Sequence, residues 1–283
     1  MGSADFAADL SPVAEPGKVA DSVGLRLCGP MAVVTLSRPA SHNALSFGSW
    51  LRIAQVFDEL GDRDLQAVVV RGAGERAFSA GANIEEFPAL RMSAEAALDY
   101  NAAISNALEA VMGFELPTVA MVRGLAVGGG CELAAACDLR IAANDARFGI
   151  PIGRLGVTLG PSEARAIVRL IGPARLKDLL FTARLVDASE ALAIGLVDRV
   201  VPVEKLAAAT AAVVSAIVSS APTTIRAGKL AADTSGRPLS QHDENVLARL
   251  TREAYDGADL KEGVAAFLER RPPRFGRLAT EEG

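Results

Sequence analysis

Short apolar runs alternate with stretches of helical periodicity through the first half of the chain. Ala32-Val33-Val34-Thr35-Leu36 is β-branched enough for a strand, Arg38-Pro39 stops it, and Phe47, Trp50, Leu51, Ala54 and Phe57 then fall at helical spacing. Ala67-Val68-Val69-Val70 reads as a second, buried strand, leading into a glycine-containing loop over 72–81 and an Ala-rich helix from about Ala94 to Met112. A third strand over Pro117–Val122, a tight turn at Gly128-Gly129-Gly130, a short helix over Cys131–Cys137 and a fourth strand over Leu139–Ala142 continue the alternation. That order belongs to the α/β class.

Past Gly160 the punctuation becomes helical. Pro161 and Pro173 sit at plausible first-turn positions, Gly172 and Gly195 at plausible helix ends, and Asp187-Ala188-Ser189-Glu190 resembles a capping box. Leu196–Val201 is the one strand candidate there, and the amphipathic stretch Leu260–Leu268 ends in a basic run, Arg270 to Arg274. The expected organisation is a loose arm over 1–23, a core over 24–204 and a helical region over 205–283.

Composition narrows the function classes. With 283 residues, half of them hydrophobic, the chain can bury one large core, or a core with a small appended domain. A net charge of −5 gives no electrostatic footprint for a polyanion, so neither nucleic acid nor an anionic membrane is an expected partner. The three cysteines, Cys28, Cys131 and Cys137, form no CxxC pair, which argues for a reducing compartment, the cytoplasm, and against structural zinc. Met1 to Val23 lacks the basic and apolar regions of a secretory signal, and Leu206–Ala221 stops at Pro222, short of the ~20 residues a membrane span needs.

Two loops carry the candidate chemistry: Ala77 to Ile84 and Gly124 to Leu133. Each follows a strand, contains glycine and precedes helical sequence. Glycine lets backbone amides approach a ligand closely, and amides at a helix N-terminus are unpaired donors reinforced by the helix dipole, so two such loops face to face would make an oxyanion hole. Alone, triple glycine also fits a flexible turn, Glu132 also fits a first-turn carboxylate facing a helix dipole, and Arg38 and His42 also fit ordinary loop positions. Gly72-Ala73-Gly74-Glu75-Arg76-Ala77 matches a dinucleotide-binding G-x-G-x-x-A, but Ser79-Ala80-Gly81 and Pro88 interrupt the helix that should follow. No G-x-S-x-G, P-loop or metal signature is present.

Ala-Gly-x-Asn-Ile at 80–84, followed by a triple-glycine turn running into Cys131-Glu132-Leu133-Ala134 and Cys137-Asp138, resembles the crotonase (enoyl-CoA hydratase/isomerase) superfamily. Arg38-Pro39, Asn43-Ala44-Leu45, the Arg175–Val201 stretch and Lys261 to Leu268 extend the resemblance over nearly the whole chain after the arm. It implies a spiral of strand-strand-helix repeats with C-terminal helices that build a homotrimer or dimer of trimers. It also implies an acyl-CoA substrate whose thioester oxygen is held by the amides of Ala82 and Gly129, with Gly81 and Gly128 shaping the loops and Ile152 lining the pocket. Adenine lies near Ala80, Asn83, Ile84 and the loop around Arg38, Glu132 serves as the catalytic carboxylate, and no cofactor is needed beyond the coenzyme A of the substrate. The implied reaction is hydration of a 2-enoyl-CoA to a 3-hydroxyacyl-CoA.

The chain departs from the family pattern at one telling position. The second hydratase glutamate is expected in Pro151-Ile152-Gly153-Arg154-Leu155-Gly156, where Ile152 stands instead. A placed general acid or base supplies about 10²–10⁴ in rate, and isoleucine supplies none of it. Glu86 and Glu163 are the substitute candidates. The alternatives are enoyl-CoA isomerisation, decarboxylation, or acyl-CoA binding without efficient turnover.

Overall fold

A computed structural model describes residues 3–10, 22–61 and 63–276. In chain order the elements are α1 (Ser3–Leu10), β1 (Val23–Cys28), β2 (Met31–Leu36), α2 (Phe47–Gly61), β3 (Ala67–Gly72), β4 (Ala77–Ser79), α3 (Phe87–Leu90), α4 (Ala94–Met112), β5 (Thr118–Val122), β6 (Leu125–Val127), α5 (Gly129–Ala136), β7 (Leu139–Ala143), β8 (Arg147–Gly149), α6 (Pro161–Thr182), β9 (Val186–Asp187), α7 (Ala188–Ala193) and β10 (Arg199–Val201). Four helices follow: α8 (Leu206–Val218), α9 (Pro222–Thr234), α10 (Gln241–Asp256) and α11 (Ala258–Glu269).

Two sheets share the strands. One has the order β1-β2-β3-β5-β7-β10 and is parallel except for the β1–β2 hairpin; the other has the order β4-β6-β8-β9. Strand pairs β3–β4, β5–β6 and β7–β8 each place one strand in each sheet before the next long helix, so the chain advances as a spiral of strand-strand-helix turns.

The larger sheet is buried on both faces, which is why its strands read as continuous apolar runs. Along β2 and β3, Ala32, Val34, Leu36, Val68 and Val70 face a core shared with α2, α4, α5 and α6, whereas Met31, Val33, Ala67 and Val69 face a second core beneath α8. Alternation of side chains across a strand feeds both cores from one run of residues.

Several expectations need correction. The stretch expected as a loose arm contains α1, whose Phe6 and Leu10 are fully buried in the second core against α8. Arg71 reaches from β3 to the Leu10 carbonyl at 2.9 Å, and Arg26 pairs with Asp9 at 2.6 Å. Residues 11–21 lie outside the described residues. A further strand, β1, precedes the first one expected, and the 72–81 loop contains the short strand β4 rather than irregular backbone throughout. Downstream of Gly72 the chain therefore enters a strand and not a helix, so the dinucleotide-binding geometry is not formed.

Most of the expected punctuation in the later part is present, although the capping box at Asp187 is only half formed because the Glu190 carboxylate pairs with Arg184. Pro161 opens α6, Gly172 adopts φ 75° and ψ 166° just before Pro173 to kink it, and the Asp187 side chain accepts from the Glu190 amide at 2.9 Å. Leu206 to Val218 forms one helix, and no single helix among the described residues is long and apolar enough to cross a membrane.

All eight residues of α5 are buried, so its ends cannot be left to water. At its C-terminal end Arg169 of α6 donates to the carbonyls of Ala135, Ala136 and Cys137 at 2.9–3.0 Å, and Arg140 donates to Cys137 at 2.8 Å while pairing with Asp198 at 2.7 Å. Replacing Arg169 with leucine removes this donor from the Ala135 and Ala136 carbonyls and leaves Cys137 with Arg140 alone. Hydrogen bonds to a charged group contribute about 1.5–3 kcal/mol, and a loss of that size in chemical denaturation is the expected outcome for Arg169→Leu.

Candidate functional site

The site forms where the loops after β4 and β6 meet. Gly81 has φ +98° and Gly128 φ +53°, conformations that a side chain would strain. A β-carbon on Gly81 would lie 2.7 Å from the Val127 carbonyl, and one on Gly130 would lie 2.3 Å from the Ser79 carbonyl. Glycine at these points lets the two loops touch along their backbones, which brings Gly81 within reach of the Gly129 amide: the same hypothetical β-carbon would be 3.4 Å from that nitrogen.

A third segment fixes the first loop. Asn43, buried and at φ +55°, donates to the carbonyls of Ala73 and Ala77 at 2.9 and 2.8 Å and accepts from the Arg38 amide at 3.0 Å. Leu45 then pairs with the loop in parallel fashion, its amide donating to Gly81 at 2.7 Å and its carbonyl accepting from Asn83 at 2.8 Å. These bonds use the neighbours of Ala82 and leave its own N–H pointing away from the pairing. On the second loop the Gly128 amide donates to Gly149 at 2.8 Å and the Gly128 carbonyl accepts from Glu132 at 3.0 Å. Among the described residues, the N–H groups of Ala82 and Gly129 donate to nothing. Both belong to half-buried or buried backbone, where such groups are nearly always paired.

Trp50 of α2, fully buried, closes the floor: a β-carbon on Gly129 would sit 2.7 Å from its ring. Glu132, in the first turn of α5, is 5% exposed, and a β-carbon on Gly129 would lie 3.8 Å from its Oε2. Its carboxyl is pushed up to about 8, first by burial and then by the negative charge of Glu163, against the attraction of Arg91. Glu132 is thus protonated over much of the neutral range.

The other expected residues divide. Ala80 and Asn83 are half-buried at the same loop and Ile84 is exposed beside them. Arg38 donates to the Ala44 carbonyl at 3.2 Å, so it braces the loop as well as bordering it. Ile152 lies in a short 3-10 helix and packs against the main core, so no carboxyl stands there. Glu86 accepts from the Phe47 amide at 2.5 Å and from the Tyr100 hydroxyl at 2.9 Å, which commits it to joining α2 and α4. Glu163 is 4% exposed and close enough for its charge to act on Glu132. Three residues escaped the sequence reading: Asn43 as a loop brace, Trp50 as the floor, and Arg91, whose guanidinium stacks over Phe87 and Tyr100 at 5.0 and 4.9 Å. Only the Asn-Ala-Leu triplet hinted at the first.

Comparison with known proteins identifies the family. Residues 29–277 match the family model for enoyl-CoA hydratase/isomerase. The chain is 36% identical over 247 residues to a short-chain-enoyl-CoA hydratase of Clostridium acetobutylicum, covering 86% of this chain and 93% of that one. It is 35% identical over 246 residues to a crotonyl-CoA hydratase of Syntrophomonas wolfei, covering 87% and 94%. The crystal structure of an enoyl-CoA hydratase/carnithine racemase from Magnetospirillum magneticum superposes with a TM-score of 0.84 at 36% identity, over 90% of this chain and 95% of that one.

The raised Glu132 carboxyl has a stability consequence. The unfolded chain titrates it near 4.5, so between that pH and about 8 the folded chain holds a proton the unfolded chain lacks. Its contribution is full below about 4.5 and is lost as pH rises toward 8. Glu132→Gln, which cannot ionise, should therefore gain stability relative to wild type as denaturation is repeated from about pH 5 to about pH 8. A pH-independent difference between the two would contradict the shift.

Proposed function

The chain belongs to the enoyl-CoA hydratase/isomerase family, and from that premise we propose that it hydrates a 2-enoyl-CoA to a 3-hydroxyacyl-CoA. The observation that carries this reading is the pair of uncommitted N–H groups on Ala82 and Gly129 beside the buried carboxyl of Glu132. The thioester oxygen accepts from both amides. As water adds at C3, electron density moves through C2 onto that oxygen, where the two donors and the positive end of α5 stabilise it. One such donor contributes about 2.7–4 kcal/mol to the transition state. Donors fixed by folding need no reorganisation when the charge appears.

In this reading coenzyme A runs past Ala80, Asn83, Ile84 and Arg38, and the protein requires no cofactor of its own. Exposed apolar side chains support assembly into a trimer or dimer of trimers: Phe181, Tyr255, Phe267 and Leu268 are 71–82% exposed on the single chain. Light scattering is expected to give a mass that is a multiple of three chains. The vacancy of an acid at Ile152 favours a second reading, isomerisation or decarboxylation through the same enolate.

Crotonyl-CoA turnover with mass-spectrometric identification of the product separates these readings. The expected product is 3-hydroxybutyryl-CoA, with kcat reduced about 10²–10⁴-fold in Glu132→Gln. Tight binding of butyryl-CoA with no hydrated product would exclude hydration and leave the second reading.

A further inference from the structure

Two other enclosed carboxylates, half-buried Asp138 and buried Asp243, are saturated with donors. Asp138 accepts from the Thr118 amide and hydroxyl at 2.7 and 3.0 Å and from Lys229 at 2.6 Å. Asp243 accepts from Arg237 at 2.7 Å and from the Ser240 amide at 2.8 Å. Such saturation is what burial of a charge demands. Glu132 and Glu163 break the pattern: among the described residues, no hydrogen-bond donor reaches either carboxyl, although both are at least 95% buried.

The position of Glu163 is nonetheless tightly built. It stands in the first turn of α6, where the adjacent Ser162 hydroxyl bonds to Ser105 at 2.6 Å and to Glu109 at 2.7 Å, pinning that turn to α4. The carboxyl folds back over Gly160, at which a β-carbon would lie 2.4 Å from Oε2 and 3.0 Å from Oε1. The cation whose field reaches both carboxyls, Arg91, is anchored elsewhere, on the Asn101 side chain at 2.5 Å and on two aromatic faces. It offsets charge without occupying the carboxylate oxygens. Two buried carboxyls without donors, carried by the packed helices α5 and α6 and near enough for the charge of one to act on the other, suit a small hydrogen-bonding molecule, and water is the reactant of the hydration proposed above.

We propose that Glu163 is a catalytic residue that, with Glu132, forms the carboxyl pair handling water and proton, in place of the acid absent at Ile152. This rests on the hydration reading. The water oxygen bonds to C3 while the C2–C3 π pair moves toward C2 and the thioester oxygen. The water proton passes to the Glu163 carboxylate. The proton on Glu132 passes to C2 as the electron pair returns from the oxygen, completing the C2–H bond. Transfer of the proton from Glu163 back to Glu132, through water after product leaves, restores the starting state.

The proton begins on Glu132 because burial and the neighbouring charge hold it there at neutral pH. The groups that bear on it are Glu163 from α6, Arg91 from the connection between α3 and α4, and the adjacent Cys131 thiol, itself pushed up to about 12 by burial and therefore neutral.

The test compares wild type, Glu163→Gln, Glu163→Asp and Glu132→Gln with crotonyl-CoA as substrate and butyryl-CoA as the binding probe. Glu163→Gln should lower kcat by about 10²-fold or more while changing butyryl-CoA affinity by less than about threefold. Its residual activity should lose its alkaline limb at lower pH than wild type, because the like charge that raises Glu132 is gone. Glu163→Asp should retain an intermediate rate, and it carries the test if the glutamine variant does not fold. A Glu163→Gln variant that folds and keeps kcat within about threefold of wild type, with Glu132→Gln inactive, overturns the proposal and leaves hydration standing, as does a folded Glu163→Asp with no activity above that of Glu132→Gln. Absence of hydration by the wild type overturns both.

Discussion

A fully buried helix must find partners for the backbone groups at its ends, and α5 meets this demand asymmetrically. Its C-terminal carbonyls are taken by Arg169 and Arg140, so the negative end is neutralised inside the protein. At its other end the Gly129 amide has no internal acceptor among the described residues. A buried donor left open is unfavourable in the empty protein and becomes favourable only when an external oxygen arrives. The chemistry proposed here depends on that imbalance, and much of the surrounding structure serves to hold it.

Close backbone approach is the second requirement. Gly130 against Ser79 and Gly81 against Val127 leave no space for a methyl group, so the two loops are joined without intervening side chains. Asn43 and Leu45 then fix the first loop from outside, satisfying its carbonyls while sparing the Ala82 amide. The spiral makes this possible because each turn delivers one strand to each sheet, and β4 and β6 are neighbours in the smaller one. Their loops therefore leave the sheet side by side.

Electrostatics around Glu132 follow from the same enclosure. Burial disfavours its ionised form, a second carboxyl adds to the penalty, and the set-back guanidinium of Arg91 only partly relieves it. Where Asp138 and Asp243 are fixed by several donors, Glu132 and Glu163 accept from no donor among the described residues. The contrast separates carboxylates that hold the fold together from carboxylates available to a reactant, and it gives the protein a two-acid arrangement despite Ile152.

Elements whose information is local are legible in the chain's residues alone. Strands β2, β3, β5 and β7, the helices from Phe47 and Ala94, the break at Gly172-Pro173 and the two glycine loops follow from apolar periodicity and from residues with restricted or permissive backbones. The family pattern in those loops points to Ala82, Gly129 and Glu132. Whatever depends on contacts between distant segments emerges from the folded chain. Phe6 and Leu10 look unremarkable in an Ala- and Asp-rich stretch, yet the uncovered face of the sheet beside α8 gives them a place to bury, turning an expected loose segment into α1. Glu163, 31 positions beyond Glu132 in the chain, is one of two substitute acids the sequence offers, and only the packing of α6 on α5 separates it from Glu86. Trp50 and Arg91 likewise acquire their roles only from packing, one against Gly129 and the other over Phe87 and Tyr100. Periodicity records which way a side chain faces from its own element, but not what the rest of the chain brings to meet it.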